Sequence, residues 1–124
     1  MKPLAVCDCD TALTQTDLLA ELCDACTARG LFPTAAGDEL SEAYVRYHEE
    51  HSRASFDDRV HAIFRRHIKG VSFSAFNDTV RAVGERARRE VFRYTEERIE
   101  EFTKRGFFIL GLSRAPKRLV DVVC

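Results

Sequence analysis

Asp8 and Asp10 stand two residues apart in the segment VCDCDTALTQTD, straight after an apolar run that opens at Leu4. Like charges this close repel, and desolvating either one is costly, so the pair calls for a cation or a shared proton. A hard divalent ion such as Mg2+ suits two carboxylates, because it takes oxygen ligands and keeps several of its waters. An EF-hand loop starting at Asp8 fails, since Ala12 and Leu19 occupy its fifth and twelfth places. A second apolar run, FFILGLS, ends at Ser113, whose hydroxyl can donate to an anion. Asp and Ser also favour ordinary turns. What raises the pair above that reading is its place: ligands of open α/β sheets bind beyond the carboxyl ends of strands.

Other chemistry-bearing residues read as structure. Cys23 and Cys26 have redox or half-zinc-site spacing in CDAC, yet no second CxxC or HxxxH completes a tetrahedron, and the motif sits inside a helical pattern. Core packing is the expectation there. His48, His51, His61 and His67 lie on charged helical faces and are read as solvated. Arg86, Arg88, Arg89 and Arg93 alternate with Glu85 and Glu90, as on an exposed, salt-bridged face. Phe56, Phe64, Phe73 and Phe76 are read as core.

The elements that would position the strand-end groups follow from periodicity. PLAVCD and FFILGLS read as short buried strands. Between them, apolar residues at helical spacing predict a helix after Thr16 or Asp17 that stops at Gly30, one capped by Thr34, and one opened by Ser55 that stops at Gly70. A fourth carries Phe76, Val80, Val83, Ala87 and Val91. A fifth is capped by Thr95, turns Ile99 and Phe102 inward and stops at Gly106. Pro116 starts the last, PKRLVDVVC. Two continuous apolar strands joined by helices argue for a parallel sheet. The helical stretch between them is too long for a simple crossover and reads as an insertion over the strand ends.

The 124 residues, 45% apolar and 31% charged, suit one globular domain or a small core with an insertion. Nineteen basic against twenty acidic side chains give a net charge of -1, without the basic excess that nucleic acid or an anionic membrane would demand. No apolar run approaches the roughly 20 residues that span a bilayer. The start, MKPLAVC, is too short for a secretory leader, and five cysteines is an odd count, so a reduced, cytoplasmic protein is expected.

LAVCDCDTAL resembles the first motif of the haloacid dehalogenase superfamily, an apolar strand followed by D-x-D-x-T and Leu or Val. FFILGLSRAPKRLV resembles its second, an apolar strand ending in Ser or Thr. The helices between them look like the cap of the phosphoserine-phosphatase-like subgroup. The resemblance implies an α/β, Rossmann-like core of parallel strands, partial here, formed by residues 1–14 and 93–124, with an inserted helical cap at 15–92. It also implies Mg2+-dependent hydrolysis of a small phosphorylated metabolite. Asp8 would be the nucleophile and Asp10 the general acid and base. Both would serve Mg2+, Ser113 would bind the phosphoryl group, and Asp17 would take the place of a substrate-contacting Glu.

Thr11 stands where the family commonly has Gly, and Ala12 where it has Thr. The family's later Lys or Arg and its acidic pair have no counterpart after Ser113; Lys117 belongs to the helix that follows the second motif. The chain therefore reads as an N-terminal portion with little catalysis of its own. The alternative is a non-catalytic protein, either a degenerate relative of that family that binds without hydrolysing or a helical interaction protein. An incomplete sheet, with open edges and an uncovered face, also predicts self-association.

Overall fold

The computed structural model describes residues 2–8, 17–90, 93–113 and 115–123, with positions 7, 8, 93, 94, 111, 112 and 123 described by backbone alone. The order is β1 (Leu4–Asp8), α1 (Leu18–Ala28), α2 (Thr34–Glu50), α3 (Arg53–His67), α4 (Phe73–Arg89), α5 (Arg93–Lys104), β2 (Phe108–Leu112) and α6 (Lys117–Val123). The chain divides into two compact units, one of residues 1–18 and 84–124 and one of residues 19–83.

The 19–83 unit is helical throughout its described elements. Leu19, Leu22, Cys23 and Cys26 recur at helical spacing on α1 and are buried, as are Leu40 on α2, Phe56, Val60 and Ile63 on α3, and Val80 and Val83 on α4. Aromatic rings fill the seams: Phe56 lies 5.0 Å from Tyr44 and 5.2 Å from Tyr47, and Phe64 touches both Phe32 and Phe76. Thr79, fully buried, donates to the Ala75 carbonyl (2.8 Å) and accepts from Arg29 (3.5 Å), so its hydroxyl is satisfied. Gly30, Gly70 and Gly106 end their helices at positive φ, where a Cβ would be strained.

In the other unit β1 and β2 pair in parallel, Leu4 opposite Phe108 and Asp8 opposite Leu112. Helix α5 feeds into β2 through Phe102 and Phe107, edge to face at 5.0 Å, with the Arg105 guanidinium over both rings. Leu119 of α6 is fully buried, and α6 approaches the C-terminal half of α4 closely at Gly84.

This architecture corrects the expected fold class. Six helices and one two-stranded sheet make up the described elements, so the chain is a helical protein and not an α/β Rossmann-like one. Continuous apolar runs were expected to mark strands covered on both faces. Instead Leu4, Val6 and Phe108 are each 58% exposed and Leu110 is 45% exposed, so one face of the pair is open to solvent. An apolar run records what a strand could bury, not how many neighbours cover it.

Several local readings also change. Helix α3 starts two residues before Ser55: Ser52 is the N-cap, and its Oγ accepts from the Ser55 amide at 3.2 Å. Thr34 is the first residue of α2 rather than its cap, because Pro33 holds the extended cap conformation. Thr95 lies inside the first turn of α5. Phe73, expected in the core, is 65% exposed, since it begins α4 one turn ahead of the buried stripe. Of the four histidines read as solvated, His48 and His51 are exposed and the other two are largely covered. His61 buries an unpartnered Nε2, while the His67 ring tilts against Phe32 at 5.7 Å and its Nε2 lies 3.3 Å from Glu39. Val91 and Thr16 lie outside the described residues.

Candidate functional site

Parallel pairing brings the carboxyl ends of both strands to one side. Asp8 is the last residue of β1 and faces Leu112, the last of β2, so Ser113 follows one residue beyond that register. At the other end the Phe108 amide donates to the Pro3 carbonyl at 2.9 Å, which fixes the ladder against a slip. The half-buried Ser113 hydroxyl accepts the Ala115 amide at 3.1 Å, tightening the turn that leads through Pro116 into α6.

Asp17, half-buried, immediately precedes α1 and belongs to the same compact unit. Asp10, with Thr11 and Ala12, lies outside the described residues. The backbone therefore brings Asp8 and Ser113 to adjoining strand ends. Lys117, the first residue of α6, is paired with Asp121 at 2.6 Å on the surface.

Among the described residues no three His, Cys, Asp or Glu side chains gather as a metal cluster. Mg2+ is often held by only one or two carboxylates together with substrate phosphate and water, and the donor chemistry of Asp8 and Asp10 fits that mode. The CDAC cysteines are packed in the core: both thiols are buried, and burial pushes Cys26 up to about 11 despite the opposing charge of Arg29, which disfavours its free thiolate.

Periodicity gave no sign of a cleft of about 210 Å3 between α2 and α3, lined by Arg46, Arg59 and Arg66 with Glu39 and Glu42. Its arginines are already paired: Arg46 with Glu42 at 3.1 Å, Arg59 with Glu50 at 3.2 Å, and Arg66 with Glu39. Arg46 and Glu42 are one turn apart on α2, but only the packing of α2 on α3 brings Arg59 to Glu50 and Arg66 to Glu39, which spacing within either helix does not reveal.

No family model, curated protein or solved structure matches the chain. Among the described residues no helix is long and apolar enough to cross a membrane.

Proposed function

We propose that the adjoining ends of β1 and β2 carry out Mg2+-dependent hydrolysis of a small phosphomonoester, in the manner of haloacid-dehalogenase-like phosphatases. The observation that supports this reading is the parallel register of Asp8 with Leu112, one residue before Ser113. The helical build departs from the core that family implies, so the proposal rests on the strand ends and the motifs, not on the fold.

In this mechanism a carboxylate oxygen of Asp8 bonds to phosphorus while the bond from phosphorus to the ester oxygen breaks. Asp10 gives its proton to the departing alkoxide. Asp10 then takes a proton from water, the resulting hydroxide attacks phosphorus, and phosphate leaves with the Asp8 carboxylate restored. The Ser113 hydroxyl donates to a phosphoryl oxygen, whose charge needs fixed donors. The Asp8 carboxylate and the Asp10 backbone carbonyl would hold Mg2+, which would neutralise charge on the phosphoryl oxygens. Lys117 pairs with Asp121 on the surface of α6 and is given no part in this mechanism.

The test is release of p-nitrophenol from p-nitrophenyl phosphate in Mg2+, together with the melting temperature in Mg2+ and beryllofluoride. Asp8→Asn should lose about a hundredfold or more in rate. Undiminished turnover in that variant overturns the nucleophile assignment. If the unaltered chain neither turns over nor gains stability with Mg2+ and beryllofluoride, the site reading falls and a non-catalytic binding protein stands in its place.

A further inference from the structure

We infer that the open face of the β1–β2 pair is a self-association surface, seated in solution on the same face of a second copy of this chain. Alternation along a strand puts Leu4 and Val6 on one face, and the register sets Phe108 and Leu110 beside them. Among the described residues, these four belong to the seven exposed large apolar side chains, and they adjoin one another. Ala5 and Ile109, between them on the opposite face, are partly covered. The two faces of the pair thus differ, and the one bearing the larger side chains is the bare one.

Area and symmetry select the occupant. With the exposures given above, the four residues leave roughly 400 Å² of continuous apolar surface, the size of a typical monomer's largest apolar patch, which is often functional. Two such faces, packed as stacked sheets, would bury about 800 Å² from these side chains alone. The exposed Pro3 and the stem of Lys2, whose ammonium lies 4.8 Å from the Phe108 ring centre, extend the rim. That approaches the roughly 1,000 Å² below which an interface is weak or transient. A two-fold contact places a patch on itself, so it must be self-complementary. An apolar patch with one cation at its edge meets that condition, because no two charges are forced together at its centre. The inference is independent of any catalysis at the strand ends.

Sedimentation velocity on the chain from micromolar to millimolar concentration tests it. The expected result is a monomer–dimer equilibrium whose dissociation constant rises about tenfold or more in Val6→Glu and in Leu110→Glu. Val45→Glu, at an exposed apolar position on α2, should leave the equilibrium unchanged. Val6→Thr removes apolar area without adding charge and should weaken the dimer in the same direction even if a glutamate disturbs the strand. A chain that stays monomeric throughout, a dimer indifferent to Val6→Thr and Leu110→Glu, or an equal loss in Val45→Glu overturns the inference.

Discussion

Gly84 of α4 lies so close to Val122 of α6 that a Cβ built on the glycine would stand 2.4 Å from Val122 Cγ1 and 2.6 Å from its Cβ. Only a glycine lets the two helices approach this far. Leu119, one turn earlier on α6, is fully buried. The contact fixes the helix that begins four residues after Ser113, and so the turn on the candidate site.

Gly84→Ala would gain about 1 kcal/mol of helix propensity in most helices. Here Val122 is β-branched and stiff, so the new methyl must push α6 away. We expect a net loss of about 1–3 kcal/mol in urea unfolding. Val122→Ala removes the Cγ1 contact but leaves the Cβ at 2.6 Å, so a double mutant should recover only part of the loss.

Ser52→Ala should cost about 1 kcal/mol, because it removes the acceptor for the Ser55 amide at the start of α3. Ser55→Ala should cost less, since Ser55 lies within the first turn and its hydroxyl accepts from Ser52 Oγ at 3.0 Å without capping a backbone amide of that turn. Equal losses in denaturant titrations would count against Ser52 as the cap.

Phe56→Ala should cost about 3–5 kcal/mol, since the ring is buried between Tyr44 and Tyr47 and leaves a cavity. Phe73→Ala, at an exposed position, should stay within about 0.5 kcal/mol. Paired unfolding curves separate the two.

Cys26 predicts a pH effect. Its folded pKa is raised from 9.0 to about 11, chiefly by burial, so the folded state holds the thiol proton more tightly than the unfolded state. The stabilisation is full below pH 9 and is lost as pH rises through about 11. Relative to Cys26→Ala, the chain should therefore lose stability between those values. Ellman's reagent at pH 8 should modify neither Cys23 nor Cys26 until denaturant is added, because both are buried.

The helices were legible because burial of one stripe at 3.6-residue spacing leaves a local record. The buried set on α1 is the stripe of Leu18, Leu19, Leu22, Cys23 and Cys26 that periodicity selects, with Ala20 added, and Gly30, Gly70 and Gly106 mark stops that only backbone conformation requires. Caps were less legible. Ser52 and Ser55 are chemically alike and three residues apart, and which one caps depends on where the preceding chain turns.

The sequence alone determined six helical patterns, two short apolar strands, and acidic and hydroxyl groups at the ends of those strands. Each follows from local spacing. The tertiary structure decided that the strands pair in parallel with Asp8 opposite Leu112, that one of their faces stays bare, and that helices rather than a wide sheet dominate the chain. Strand partners and face coverage are set by residues a hundred positions apart in sequence, and a run of apolar residues reads the same whether or not anything packs upon it.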